Sequence, residues 1–352
     1  MRALDLGSVD NGVENRIRTE GTPQPFDITA DRKGDPIQLT GTFYNQFAGF
    51  EGSFKGNLHN HVLPRRWGGD VENARTHYAE RGYDFFGAMD HDEVVHVPDL
   101  PDLITIPGME LSLNAGHLLT FGLDDFTFPT ADDPEEEDLK RIRSIHDRGG
   151  LAVLAHPNKT AYTWEQLQQF CDAGLIGLEV VNSGVTGKTA DTGKFDQGWK
   201  LLLQAGRYLV GLGNDDAHGP HTDLSEWGGV PQVAWTGVFA DALTQTEIIN
   251  AIKYGRTYVS QGPRIDSIEF VPEAAQLRVE CSEAVACHFR GIDSYGGDTT
   301  TPDEGLQAST FSLDLAERGY RIRDYVSVIV EDAKGRRAWT TPIPVDITEK
   351  AR

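Results

Sequence analysis

Short apolar runs in this chain repeatedly end on an imidazole or a carboxylate, and that recurrence restricts the fold more than any other feature. Gly56-Asn57-Leu58 leads into His59-Asn60-His61, Tyr83 to Met89 runs into Asp90-His91-Asp92, and Leu103 to Met109 leads to Glu110. Leu151 to Ala155 delivers His156-Pro157, and Arg207 to Gly213 ends in Asn214-Asp215-Asp216-Ala217-His218. One further apolar run, His117 to Leu123, opens on its histidine. Side chains alternate faces along a strand, so His59 and His61 point the same way and can grip one ion. A lone His-x-His also suits a solvated strand face; its weight comes from the ligand-type residues that follow.

Helical patterns separate these runs. Val71 to Glu80 ends at Gly82, and Pro134-Glu135-Glu136-Glu137 has proline and acids in a first turn, with Leu139, Ile142 and Ile145 at helical spacing before Gly149-Gly150. Thr163 to Ala173 opens with a capping box formed by Thr163 and Gln166. Further helices are predicted near Phe195 to Gln204 and after Thr244, which has Glu247 three residues on; Leu175 to Asn182 and Gly255 to Ser260 read as strands. Strands alternating with helices predict an α/β domain with a mostly parallel sheet. In a barrel of parallel strands the loops at the C-terminal strand ends converge, which would bring His59, His61, His91, Glu110, His156, Asp216 and His218 to one mouth.

The flanks read differently. Met1 to about Ala30 is polar and rich in Gly, Pro, Asp and Asn, which predicts a loose surface arm, with a strand or two following between Asp35 and Phe54. Beyond Gly262-Pro263, short alternating stretches and the turn Tyr295-Gly296-Gly297-Asp298 predict a small β-sandwich, whose one histidine, His288, is assigned no chemistry. The expected organisation is an arm with lead-in strands over 1–54, a main domain over 55–263 and a C-terminal β-sandwich over 264–352.

Charge and cysteine usage narrow the function classes. Against 32 basic residues the chain has 54 acidic ones, a net charge of -22, which argues against nucleic acid or an anionic membrane as partner. Cys171, Cys281 and Cys287 are odd in number and lack CxxC spacing, so neither a disulfide framework nor a zinc ribbon is indicated. With no apolar leader at Met1 to Leu6, the expected location is the cytoplasm. Gly184-Val185-Thr186-Gly187-Lys188-Thr189 has Asn182 where a phosphate-binding P-loop needs glycine, and a Gly-x-Ser-x-Gly elbow is missing.

Taken together, His59-x-His61, Asp90-His91, Pro107-Gly108-Met109-Glu110, His117, Ala155-His156-Pro157 and Asp216-x-His218 resemble, in order and spacing, the polymerase and histidinol phosphatase (PHP) superfamily. The resemblance covers about residues 55 to 262. Gly255-Arg256-Thr257-Tyr258-Val259-Ser260 followed by a β domain looks more like its CehA/McbA branch. The resemblance implies a distorted (β/α)7 TIM-like barrel holding two or three divalent ions, commonly zinc, manganese or iron. It implies that His59, His61, Glu110 and Asp216 hold one ion, and that Glu110 bridges to a second on His117 and His156. A third would sit on His91, His218 and an acid after the His-x-His, for which Asp70 is the candidate. Asp90 is a candidate for orienting a neighbouring imidazole.

The implied chemistry is hydrolysis of a small phosphomonoester or phosphodiester by a hydroxide bridging two cations. Glu110 and Asp216 are central to that site, Arg65, Arg66 and Lys159 are candidates for holding the anionic substrate, and His221 or His96 for protonating the leaving group. His77 and His146 are expected to be bystanders, and Glu179 and Asn182 to lie on the rim of the mouth. Two rivals stand beside this reading: carbamate, ester or amide hydrolysis on the same ions, and a non-catalytic metal-containing binding module.

Overall fold

The structure is a computed structural model and describes residues 12–32, 35–50, 52–63, 69–99, 103–184, 193–218, 234–291, 297–301, 305–312 and 324–350. The chain begins with α1 (Val13–Glu20), β1 (Thr22–Arg32) and β2 (Asp35–Asn45). It continues through β3 (Phe54–Asn57), α2 (Val71–Glu80), β4 (Phe85–Asp90), the two-residue β5 (Glu93–Val94), β6 (Ile104–Leu113) and β7 (Gly116–Phe121). Then come α3 (Pro134–Asp147), β8 (Leu151–Leu154), α4 (Trp164–Asp172), β9 (Gly177–Asn182), α5 (Asp196–Gln204), β10 (Val210–Asn214), β11 (Trp235–Val238), α6 (Gln245–Lys253) and β12 (Thr257–Ser260). The C-terminal part is all strand: β13 (Ile265–Val271), β14 (Gln276–Ala284), β15 (Ala286–Arg290), β16 (Gly297–Thr300), β17 (Leu306–Ser312), β18 (Asp324–Glu331), β19 (Arg337–Thr340) and β20 (Ile343–Glu349).

The result is a mixed α/β fold around one large sheet. β3, β4 and β6 are parallel neighbours, as are β8, β9 and β10, and the antiparallel β7 joins the two groups. The expected closed (β/α)7 barrel is not what the pairing gives. Among the described residues β10 and β3 share no ladder. Their ends meet through one bridge, Asn60 with Ala217, and through the Asn214 side chain, whose Oδ1 accepts the Leu58 N–H at 2.7 Å. The other edge of β3 is taken by the antiparallel β11, which pairs in turn with β12.

Helix starts follow local rules. Asp133, Thr163 and Thr244 cap α3, α4 and α6 by accepting the N–H groups of Glu136, Gln166 and Glu247, and Thr163 with Gln166 forms the complete capping box. The apolar faces of these helices bury Ile142, Ile145, Leu167, Phe170, Ile248 and Ile252 against strands that are themselves buried. Each fully buried side chain of this size contributes about 1.5–3 kcal/mol relative to exposure. The central strands are therefore held rigidly behind the ends that carry the polar residues.

The N-terminal stretch is not a loose arm in its described part. β1 pairs antiparallel with β2 from Thr22 opposite Asn45 to Arg32 opposite Asp35, and β2 pairs with β20. Phe43 stacks on Phe270 with ring centroids 4.6 Å apart, and Phe26 meets the same ring edge-on. Pro23 and Pro25 disguise this strand in the sequence, yet among the described residues β1 ladders only to β2, and an edge strand tolerates proline. At the other end, β13, β14 and β17 form a separate sheet over a core containing Leu277, Val279, Phe289, Val328 and Val330. β19 also pairs with β12, so backbone hydrogen bonding runs past Gly262-Pro263 without a break. Among the described residues no helix is long and apolar enough to cross a membrane.

His77 on α2 is buried, and burial together with the nearby Arg81 guanidinium pushes its pKa down to about 4. The unfolded chain, with an ordinary imidazole, binds more protons than the native state between about pH 6.5 and 4, so this contribution is complete above pH 6.5 and is lost as pH falls through that window. His77→Leu should therefore flatten the acid side of the stability curve by about 1–2 kcal/mol at pH 5. Urea midpoints of both proteins at pH 7.5 and 5 read this directly; equal acid losses would refute it.

Candidate metal centre

Four strand ends and one hairpin deliver the polar cluster. His59 and His61 follow β3, Asp90 ends β4 with His91 next, His156 follows β8, and Asp216 and His218 follow β10. Glu110 lies in the outer half of β6, where β6 and β7 form a hairpin that sets Ser112 opposite His117. Because β7 runs against β6, its first residues lie at the same sheet end as the last residues of β6. His117 thus joins the cluster although it begins a strand.

Glu110 sits at the centre, buried to 1% exposure. Its Oε1 lies 2.8 Å from His117 Nδ1, 3.0 Å from His156 Nε2 and 3.4 Å from His59 Nε2, and its Oε2 lies 3.0 Å from His61 Nε2 and 3.2 Å from His91 Nδ1. Asp216 Oδ1 lies 3.1 Å from His59 Nε2 and 3.4 Å from His61 Nε2. The His218 ring stacks on His61 at 3.9 Å between centroids. Two members stand on left-handed backbone: His156 at φ 29° and Asp216 at φ 51°. Such non-glycine conformations cost about 1–2 kcal/mol each and persist where the surroundings over-determine them. Gly184 is one reason Asp216 is fixed, since a Cβ there would come within 2.8 Å of the Asp216 Cβ.

The donor set fits divalent cations. His59 Nε2, both His61 ring nitrogens, His156 Nδ1 and Asp216 Oδ1 are buried without hydrogen-bond partners, although such groups normally find one. The His59 and His61 contacts with Glu110 and Asp216 therefore lack hydrogen-bond geometry, whereas His156 Nε2 is hydrogen-bonded to Glu110 Oε1 at 3.0 Å. Four donors placed tetrahedrally about 2.0–2.1 Å from a zinc-like ion stand about 3.3–3.4 Å apart, close to the spacings found here. Three groups have their ligand atoms near enough to hold an ion: His59, His61, Glu110 and Asp216; His91, Glu110 and His117; and His61, His91 and His218.

The local electrostatics ask for positive charge. Burial would lower the His59 pKa, but Asp216, Glu179 and Glu110 overcome it and raise it well above the ordinary imidazole value. Burial is likewise overcome for His61, which the neighbouring carboxylates of Asp216, Asp90 and Glu110 raise to about 10. The same pairing holds Glu110 and Asp216 well below the usual carboxylate range despite burial. Protons on the imidazoles, or cations in their place, neutralise these carboxylates; a bound metal would displace the protons.

One carboxylate beneath the cluster escaped the sequence reading. Glu179, expected on the rim, is buried at 1% exposure and accepts from four donors. Its Oε1 takes the His59 Nδ1–H at 2.9 Å and Asn214 Nδ2 at 2.8 Å; its Oε2 takes the His156 backbone N–H and Asn182 Nδ2, both at 2.7 Å. Asn182 is buried with it. The position of Glu179 in the middle of an otherwise apolar strand was the available signal. Asp215 was also passed over; it is buried, accepts from Tyr78, and burial pushes its pKa up to about 7.

The other candidates divide. Asp70 is outside the cluster: exposed, it accepts the Asn73 N–H and caps α2, as expected of an acid just before a helix. Asp90 accepts the His91 N–H at 2.7 Å, but its Oδ1 lies 3.9 Å from His61 Nδ1, too far for a hydrogen bond. His96 and Lys159 are exposed, and His77 and His146 lie on α2 and α3. Arg65, Arg66, His221 and the Val185 to Thr189 part of the P-loop-like run lie outside the described residues.

No family model matches the chain. No curated protein matches it either. Among solved structures it is similar to a two-domain protein containing a predicted PHP-like metal-dependent phosphoesterase from Bacteroides vulgatus, at 15% identity and a TM-score of 0.46, covering 94% of this chain and 100% of that one.

Proposed function

We propose that the chain is a metal-dependent hydrolase of the PHP type, acting on a small phosphomonoester or phosphodiester. What carries this reading is the buried set of unpartnered donor atoms on His59, His61 and Asp216 gathered around Glu110. Divalent ions held there would supply Lewis-acid polarisation of a phosphoryl oxygen and a nucleophile from water near neutral pH. Glu110 offers one oxygen to the His59, His117 and His156 side and the other to His61 and His91, so it can serve two positions at once. By accepting the Nδ1–H, Glu179 leaves the His59 Nε2 lone pair facing Asp216 and Glu110.

Graded exposure gives the direction of approach. His59 and His61 have fully buried side chains, whereas His91, His218 and His117 are 13%, 21% and 28% exposed. A small anionic substrate would enter on the side of these three. From their places in the sequence, near His218 and just after His61, His221 is assigned the leaving-group proton and Arg65 the non-reacting phosphoryl oxygens.

The metal-loaded protein should turn over p-nitrophenyl phosphate or bis-p-nitrophenyl phosphate in a spectrophotometric assay. Inactivity on both, with turnover of a naphthyl carbamate, would instead assign the same site to carbamate hydrolysis.

A further inference from the structure

Because β3 and β10 share no ladder among the described residues, the chain ends that carry His59 and Asp216 are held side by side by individual bonds. Besides the Asn214 side chain on Leu58, the His61 N–H reaches Ala217 O at 2.8 Å. A further link runs through α2. The Tyr78 hydroxyl donates to Asp215, with Oδ1 at 2.9 Å and Oδ2 at 3.0 Å, and accepts from Asn57 Nδ2 at 3.1 Å. Asn57 in turn accepts the His59 backbone N–H on Oδ1 at 2.9 Å. Asp215 immediately precedes Asp216, which stands at φ 51°. One hydroxyl thus joins the turn that presents His59 to the turn that presents Asp216.

Asn57, Tyr78 and Asp215 are all fully buried, so these bonds form in a low-dielectric interior where each is strengthened. The Tyr78 ring is itself fixed, stacked on Phe86 with centroids 5.7 Å apart and met edge-on by Tyr83 at 5.0 Å. Those ring contacts need no oxygen, and a phenylalanine would make them equally well. The hydroxyl is therefore not explained by packing. It has one proton for a carboxylate and lone pairs for an amide, which is what a link between Asp215 and Asn57 requires. Both turns that it ties end on members of one group of candidate ligands, His59 and Asp216, whose Nε2 and Oδ1 stand 3.1 Å apart. Metal–ligand distances tolerate errors of only about 0.2 Å, so the spacing of these two turns bears directly on ion affinity.

We propose that Tyr78 is a positioning residue of the metal centre: its hydroxyl, set between Asn57 and Asp215, fixes the separation of His59 from Asp216 and with it the affinity for the ion those two would share. The inference rests on the metal-dependent reading above, but not on which ester is hydrolysed. Zinc affinity of the full chain, in competition with a chromophoric chelator, tests it together with the visible spectrum of the Co²⁺-loaded protein. Tyr78→Phe should bind zinc at least about tenfold more weakly than wild type and should alter the Co²⁺ d–d bands, which report ligand geometry. Tyr83→Phe is the comparison. It removes a hydroxyl from the same aromatic group, one buried with no hydrogen-bond partner among the described residues, and should leave both readouts as in wild type. Asn57→Ala cuts the link from its other end, should weaken zinc binding at least about tenfold, and gives the same test should Tyr78→Phe not fold. Urea midpoints show which variants fold. A folded Tyr78→Phe protein that loses stability while its zinc affinity and Co²⁺ spectrum stay as in wild type would show a packing role and overturn the proposal, as would an equal loss of affinity in Tyr83→Phe. If neither Tyr78→Phe nor Asn57→Ala folds, the network is a determinant of the fold and the proposal falls. Wild-type protein that binds neither zinc nor Co²⁺ would instead remove the metal reading itself, and the positioning role with it.

Discussion

His59→Ala should strip the protein of most of its bound divalent metal and cut phosphate-ester hydrolysis at least ~10³-fold, about 4 kcal/mol in the barrier. The expectation follows from position. His59 Nε2 faces both Asp216 and Glu110 with no hydrogen bond of its own, so its lone pair has no structural task in the apoprotein. Glu110→Gln should act at least as strongly, because Glu110 touches five imidazoles and its charge is the one they share. His96→Ala is the control: that side chain is exposed and should leave both metal content and rate unchanged. Elemental analysis gives ions per chain, kcat and KM give the rate, and circular dichroism confirms that the variants fold. A folded His59→Ala protein that keeps full activity would make the cluster a bystander.

Most of this cluster could be read from the chain because strand-end residues are a local signal. An apolar run that stops at a histidine or acid announces both the strand and the polar end, and His59, His61, His91, Glu110, His156, Asp216 and His218 do come together. Partners that act from within an element were harder to see. Glu179 lies inside β9, a buried strand whose outer neighbours give no hint that four donors point at it. Asp70 misled for the opposite reason: an acid near the His-x-His also stands just before α2, and the helix N-terminus claimed it. Closure of the sheet depends on which strand takes the free edge of β3, a choice between the distant β10 and β11 that no local pattern encodes. β1 was hidden by its prolines, since its pairing is set by the Phe26 and Phe43 contacts with Phe270 on the far side of the chain.

Glu179→Gln should weaken metal binding about 10- to 100-fold while leaving every direct donor in place. The carboxylate accepts from all four of its neighbours, and an amide of the same shape can accept on one atom only. Its NH₂ would then face either the His59 Nδ1–H and Asn214 or the His156 N–H and Asn182, two donors in each case. Where the amide meets His59, the ring must turn or move its proton to Nε2, the atom that faces Asp216 and Glu110, and either change removes a lone pair from the cluster. Leaving a buried donor unsatisfied also costs about 1–3 kcal/mol of stability, so stability alone does not separate positioning from packing. Asn182→Ala separates them, because it removes one donor to Glu179 without touching His59. That variant should lose stability yet hold metal nearly as well as wild type, whereas Glu179→Gln should lose affinity in competition with a chromophoric chelator. If the two variants held metal equally well, Glu179 would be a buried acid that secures the strands and nothing more; a selective loss in Glu179→Gln would mean that the affinity of the centre is set from beneath it, through the proton on His59.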